Sequence, residues 1–401
     1  MPIRAFQVLH QSNSAPVSPR LGRLWTPHGE IETPAFLPVA TQATVKALTP
    51  QDLRDMNCQV FIANTYHLIL RPGVQVIENL GGLQHFMAWD GPIATDSGGF
   101  QVVSLAQNVH LSDEAVTFRS HLNGTPVHLS PEGAIQIQER FGSDIMMCLD
   151  QPSPFGPEEH EVREATERTH AWAARCLRAH RGPGLLYGIV QGGTFPELRA
   201  WSARTIGAMD FDGFAIGGLS LGEPKETMWR MVETTIGLLP PDRPRHKLGL
   251  GAPEDLLEGI ARGIDTFDCA LPTRAARNGG LYTPQGRVDI TSGRFRAEAG
   301  PVQPGCDCAT CRTYSAAYLN HLFKAQELLA YRLASIHNLR FLLRLLEQAR
   351  AAIRAGTFGE FKDAFLADYR VSDAEAREEQ RRKWPGGPRG AARRGAWPED
   401  D

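Results

Sequence analysis

Residues 264–278 read IDTFDCALPTRAARN. Ile264, Thr266 and Phe267 make a short β-like run that ends on a carboxylate, Asp268, where the apolar character gives out. Pro272 then stops the strand, and a loop follows with Thr273, Arg274 and Arg277. A carboxylate at a strand exit can serve as nucleophile or base, and guanidiniums nearby can hold a phosphate through paired hydrogen bonds. The same stretch also fits a solvated turn acid. The rest of the chain decides between the two.

The chain has 401 residues, 42% of them hydrophobic, and a formal net charge of −3. That length accommodates one α/β barrel with insertions, and that charge excludes a wholesale polyanion binder, so nucleic-acid contact requires a local basic patch. The N-terminal MPIRAFQVLHQ lacks the apolar core of a signal peptide, and no run of about 18 apolar residues occurs. A cytoplasmic protein with no membrane contact is expected. There are seven cysteines, three of them between 306 and 311, which does not fit a secreted disulfide framework.

Residues 3–35 alternate short β-runs with turns (Ala5–Leu9, Gly22–Trp25, then His28-Gly29 before Ile31), as in an antiparallel meander. From Phe36 the rhythm changes. Apolar runs recur at Phe36–Val39, Val60–Ala63, Pro92–Thr95, Ile145–Leu149, Leu186–Val190, Phe214–Ile216, Lys247–Leu250 and Ile264–Phe267, mostly separated by helical patterns. Ser130-Pro131 opens one such helix as cap and first-turn residue, and the segment after Gly156 carries acids early and Arg and His late. Eight parallel strands joined by helices close a (β/α)8 TIM barrel, here preceded by the meander.

In such a barrel functional groups gather at the C-terminal ends of the strands. Those positions hold Asp96, Asp150, Gln191 with Gly192-Gly193, Gly217-Gly218, and Asp268. Glycine pairs let a flat ligand approach backbone amides. In Asp96-Ser97-Gly98-Gly99-Phe100-Gln101 the aromatic ring suits either stacking on a heterocyclic base or packing under its own loop. Asp150 and Gln191 together could read the edge of a purine-like base, the carboxylate accepting and the amide doing both.

A second module starts near Gly300. Cys306, Cys308 and Cys311 have C-x-C-x2-C spacing, and a helical pattern (Tyr314, Tyr318, Leu322, Ala325, Leu329, Leu333) leads to His337. Three thiolates and an imidazole make a closed, structural zinc site. His337, placed at a helix-to-helix boundary, is chosen over the nearby His321 as fourth ligand. Asn338–Ala355 reads as a leucine-rich amphipathic helix completing the barrel. Residues 371–401 are rich in Arg, Gly and Pro and are expected to be disordered.

Taken together these motifs resemble the bacterial-type tRNA-guanine transglycosylase (queuine tRNA-ribosyltransferase) family from about Arg4 to Tyr369. The matching segments are NTYHLILRPG (64–73), TDSGGFQV (95–102), GIVQGG (188–193), FAIGGLSLGE (214–223), LGLGAPEDL (248–256), FDCALPTRAARNGG (267–280) and the Cys306/Cys308/Cys311/His337 set. The resemblance implies a barrel spanning 1–370 with a zinc-binding subdomain at 300–340, and a homodimer. It implies exchange of guanine at the wobble position of G-U-N tRNAs for the 7-deazaguanine precursor preQ1, in queuosine biosynthesis. Asp268 would be the nucleophile at C1′ and Asp96 the general acid and base. Ser97, Gly98, Gly99, Asp150, Gln191 and Gly218 would surround the base, with Phe100 stacking on it. Leu221 and Glu223 would face its 7-substituent, Glu223 opposite the aminomethyl ammonium. Gly249, Leu250, Gly251, Ala252, Pro253, Glu254 and Asp255, with Thr273, Arg274, Ala275, Ala276 and Arg277, would hold the anticodon loop. One zinc ion would be structural.

Several residues depart from the family pattern. Gln151-Pro152-Ser153-Pro154 replaces the usual Glu-Cys-Thr-Pro, His246 stands where Tyr is common, and Leu221 stands where bacterial members carry Val and queuine-using eukaryotic ones Gly. A bulky Leu221 should exclude the cyclopentenediol of queuine. Among rival readings, a non-catalytic RNA-binding subunit would not need both Asp96 and Asp268. A zinc hydrolase would not keep three thiolates away from the rim. A DNA-acting relative shares much of the rim, and an assay with tRNA separates it.

Overall fold

The computed structural model describes residues 5–11, 15–99, 107–153 and 156–370. Phe100, Pro154 and the 371–401 tail lie outside the described residues. The meander is present as β1 (Phe6–Gln11), β2 (Arg20–Thr26) and β3 (Gly29–Thr33), all antiparallel. The barrel strands are β4 (Ala35–Ala40), β5 (Phe61–Ala63) and β6 (Ile93–Thr95). After an antiparallel insertion of β7 (Gln107–Leu111), β8 (Val116–Arg119) and β9 (Pro126–Leu129) they continue as β10 (Ile145–Met147), β11 (Leu185–Val190), β12 (Gly213–Ile216), β13 (Arg245–Lys247) and β14 (Thr266–Cys269). All eight are parallel, and β14 closes on β4 with Asp268 opposite Leu37.

Adjacent residues on a strand face opposite sides, and the core divides accordingly. Phe36, Phe61, Ile93 and Ile216 join a cluster with helix residues such as Leu256, Leu342 and Leu346. Their neighbours Leu37, Ile62, Ala94 and Ala215 belong to a second cluster with Ile189. The alternation fits a barrel packed inside and covered by helices outside. The meander is tied to the last strands by a fully buried ion pair. Arg20 Nε lies 2.9 Å from Asp265 Oδ1, and Asp265 Oδ2 also accepts the Arg245 amide at 2.7 Å. Removing one partner of such a pair strands a buried charge, at a cost of about 3–5 kcal/mol.

Three sequence expectations are corrected. The seventh strand is not Lys247–Leu250 but Arg245–Lys247, a polar triplet that is nevertheless buried. A search for apolar runs passes over it. The eighth runs past Ile264–Phe267 to Cys269, so Asp268 is a strand residue. The stretch after it is not a loop: Leu271–Arg277 is a helix with Pro272 in its first turn, where a missing N–H costs nothing.

The C-terminal part is also revised. The hairpin β15 (Gly280–Thr283) and β16 (Gly286–Asp289) precedes the cysteines. The helical pattern expected between Cys311 and His337 breaks into Ala309–Thr313, Ala316–Lys324 and the start of a long helix, Leu328–Ala355. The break falls at Gln326, whose φ of 59° lies in the left-handed region. His337 is therefore inside a helix rather than at a boundary. Among the described residues no helix is long and apolar enough to cross a membrane.

Candidate active site and metal centre

The ends of β5, β6, β12, β13 and β14 and the loops after β10 and β11 bring the rim residues together. Asn64 caps the helix Thr65–Leu70, its Oδ1 accepting from the His67 amide at 3.1 Å, while its Nδ2 donates to Asp96 Oδ2 at 2.6 Å. The Thr65 and Gly98 amides donate to Asp96 Oδ1 at 2.9 and 3.1 Å. Burial pushes the Asp96 carboxyl up to about 7. These amides oppose the shift, and the nearby Asp268 and Asp150 charges add to it.

Asp150 is buried and lifted to about 6 by that burial, against hydrogen bonds from Gln191 Nε2 (2.6 Å) and Ser97 Oγ (3.4 Å). Among the described residues Gln191 Oε1 is buried with no donor, so a ligand N–H would complete it. Close approach fixes two glycines here. A Cβ at Gly99 would lie 2.6 Å from the Asp150 carbonyl, and one at Gly218 (φ 62°) would lie 2.2 Å from Gln191 Oε1. Beyond Gly218, the Glu223 carboxylate receives the amides of Ser220 and, at 2.9 Å, Leu221.

Asp268 Oδ1 has two donors. The Gly249 amide lies at 3.2 Å and His246 Nε2 at 3.0 Å. The other ring nitrogen meets Thr266 Oγ1 at 2.9 Å, so the imidazole is held at both nitrogens, with Nε2 aimed at the carboxylate. The carboxylate is thus oriented by Gly249 and His246, with Thr266 holding the far side of the imidazole.

Among the residues expected to face RNA, Gly249 and Arg274 are exposed, and Ala252, Glu254 and Arg277 half-buried. Leu250, Gly251, Pro253, Asp255, Thr273, Ala275 and Ala276 are buried and shape the surface from beneath. Sequence reading missed the props of the rim. Arg199 has no exposed surface and donates to the carbonyls of Gly193 (2.9 Å), Val190 (3.0 Å) and Gly217 (2.8 Å), supporting both glycine pairs. Burial lowers its guanidinium to about 9. The available signal was an arginine inside the helix Pro196–Gly207, on a face otherwise made of Leu198, Ser202 and Ala203.

Cys306, Cys308, Cys311 and His337 converge, with all four ligand atoms within 4.8 Å of one another. The three Sγ atoms lie 3.9, 3.7 and 3.3 Å from His337 Nδ1. A tetrahedral ion with metal–sulfur bonds of about 2.3 Å and metal–nitrogen bonds of about 2.0–2.1 Å separates such atoms by roughly 3.5 Å, so the residues fit a metal ion. His337 Nε2 meets the Tyr282 carbonyl at 2.7 Å, which leaves Nδ1 for the metal. His321 is exposed and takes no part. Next to the ligand, Asn338 donates to the carbonyls of Pro272 (3.0 Å) and Gly280 (2.9 Å) and accepts the Tyr282 amide (3.0 Å). The metal centre is therefore tied to the helix that follows Asp268.

The profile of the family described as queuine tRNA-ribosyltransferase matches residues 16–371. The chain belongs to this family. Relatives of that name include one from Symbiobacterium thermophilum, 52% identical over 364 residues, 90% of this chain and 91% of the relative. Another, from Dehalococcoides mccartyi, is 50% identical over 378 residues, 94% of this chain and 96% of its own. A third, from Bacillus mycoides, is 50% identical over 360 residues, 89% and 95% of the two chains. The queuine tRNA-ribosyltransferase match spans both the barrel rim and the Cys3His cluster, so rim and metal centre lie within the shared region of the family.

Proposed function

We propose that the protein exchanges guanine at the wobble position of G-U-N tRNAs for preQ1, in queuosine biosynthesis, by two displacements through a ribosyl ester of Asp268. The observation that carries this reading is the difference between the two carboxylates. Asp268 is held by donors from His246 and Gly249, while Asp96 is raised to about 7 and can exchange a proton at neutral pH. In the first step Asp268 attacks C1′, the C1′–N9 bond breaks, and Asp96 protonates the departing guanine. In the second, the incoming base loses its N9 proton to Asp96 and displaces Asp268 from C1′. This is the logic of a retaining glycosidase with a base as second acceptor.

Asp150, Gln191, the Gly218 backbone and Ser97 to Gly99 hold the base in this reading, with Phe100 stacked on it, and the base must be drawn out of the anticodon loop. Arg274 and Arg277 hold phosphate. The 1–370 barrel is the catalytic unit and the 300–340 subdomain binds one structural zinc. The enzyme is cytoplasmic and works as a homodimer on tRNA. Incubation with a tRNA transcript and labelled guanine tests the reading: label enters G-U-N tRNA and no DNA substrate, and absence of label in tRNA overturns it.

The proton role of Asp96 sets a pH dependence. A carboxyl titrating near 7 is protonated below that pH, so single-turnover loss of guanine is expected to be fastest there and to fall as pH rises through about 7. Asp96→Asn should slow the step by roughly 10²–10⁴-fold, remove this alkaline limb and leave tRNA affinity nearly unchanged. An equal loss of tRNA affinity would assign Asp96 to positioning instead.

Base choice rests on Leu221. Leu221→Gly removes four carbons beside the Gly217-Gly218 loop, and a hydrophobic wall discriminates by about 1–3 kcal/mol per misfitting group. Queuine incorporation is expected to rise roughly ten- to two-hundred-fold, with much of the preQ1 activity retained. The measurement is competition between the two bases on one tRNA. Wild type taking queuine as readily as preQ1 would remove the steric role.

A further inference from the structure

Strand β13 reads Arg245-His246-Lys247, and Lys247 has no exposed surface. Among the described residues its ammonium meets three acceptors, none of them a carboxylate: the Leu248 carbonyl at 2.7 Å, Ser220 Oγ at 3.2 Å and the Leu219 carbonyl at 3.5 Å. The charges facing it are Arg199 from the helix after β11, Glu223 from the loop after β12, and Asp268 with the Cys269 thiol from β14. Burial lowers the ammonium to about 8. A buried cation without an ion pair costs folding free energy that a methionine in the same space would not. Its hydrogen bonds must therefore account for its presence.

Those bonds join two parts of the site. Leu219 and Ser220 belong to the loop that carries Gly218 and Glu223. The Leu248 carbonyl belongs to the peptide whose amide, Gly249 N–H, donates to Asp268. The loop has reason to need outside fixation, because Ser220 sits at φ 70°, a conformation disfavoured for a side-chain-bearing residue. Glu223 gathers two successive amides there, Ser220 and Leu221. One ammonium thus sets the distance between the base-side loop and the nucleophile's turn.

We propose that Lys247 is a positioning residue that locks the Gly217–Glu223 loop against the Leu248-Gly249 turn and thereby sets affinity for the exchanging base. The proposal rests on the base-exchange reading above. Lys247→Met keeps length and volume and removes the three donors. It is expected to raise KM for free guanine roughly ten- to hundredfold, the loss expected for hydrogen bonds from a charged donor, with kcat at saturating guanine changed less than about threefold. Ser220→Ala removes one acceptor on an exposed residue and is expected to raise the same KM by a smaller factor. The double variant should add little to Lys247→Met alone.

Hydrogen exchange supplies a readout free of activity: the Ser220 and Leu221 amides should exchange faster in Lys247→Met than in wild type. Faster exchange together with a KM effect supports the proposal. Unchanged amides, or an unchanged guanine KM in Lys247→Met, overturns it, as does an equal fall in kcat and tRNA affinity, which a merely structural lysine would produce. If Lys247→Met does not fold, Ser220→Ala decides by the same two readouts. Failure of wild type to incorporate guanine at all would sink the base-exchange reading, while the amide exchange would still judge the tether.

Discussion

Asp268→Ala is expected to abolish both base exchange and any enzyme–tRNA adduct that survives denaturation, with exchange falling by at least about 10⁴-fold. The size of the effect follows from the absence of a substitute. Asp96 is turned toward Asn64, Thr65 and Gly98, and Asp150 toward Gln191 and Ser97. Neither receives the His246 and Gly249 donors that hold Asp268 Oδ1. The alanine removes no core packing, because only the strand end is altered, so the variant should melt like wild type and still bind tRNA. Wild-type mixtures resolved on a denaturing gel should show a shifted band that the variant lacks. Undiminished exchange by the variant would take the nucleophile role away from Asp268.

The second large effect concerns the metal. Chelation, or Cys308→Ala, is expected to unfold the helices between 300 and 340 and to weaken the proposed dimer. The binding free energy of a structural zinc is on the order of 10 kcal/mol, and in so small a module that is folding free energy. Damage should reach the rim, because His337 and Asn338 hold the Tyr282 peptide from both sides, and Asn338 also holds the Pro272 carbonyl. Loss of those bonds frees the Leu271–Arg277 helix, so tRNA affinity should fall with metal content. Metal analysis, sedimentation and protease sensitivity of the 300–340 region check this together. A Cys308→Ala protein that stays dimeric and fully metallated would contradict the ligand set.

The barrel was legible because seven of its strands announce themselves as apolar runs, and the rim was legible because Asp96, Asp150, Gln191 and Asp268 follow such runs. The strand Arg245–Lys247 was misplaced because burial there is achieved by hydrogen bonding rather than by apolar side chains. That same polarity, had it been read as buried, would have pointed to His246 and Lys247 as hydrogen-bonding residues of the rim. Pro272 was read as a stop, although proline also suits a first helical turn, and sequence alone does not choose between them. Arg199 and Asn64 escaped because their roles are defined by the carbonyls and the carboxylate that the folded loops bring to them, which leave no pattern in the sequence. The antiparallel sheet of β7 to β9 has short strands with mixed polarity, too weak a pattern to stand out against the barrel rhythm.

The closure of β14 on β4, with Asp268 opposite Leu37, also bears on the chain while it is being made. The carboxylate proposed to cut the glycosidic bond lies on the last barrel strand and pairs with the first. The residues that steady its following helix come later still, at His337 and Asn338. During synthesis at about 5–20 residues per second, roughly tens of seconds separate the emergence of β4 from that of its partner. For that interval β4 presents an unpaired edge, the kind of surface that invites wrong pairing and calls for a chaperone. A chain that ends before β14 therefore lacks both the closure of the barrel and Asp268 itself.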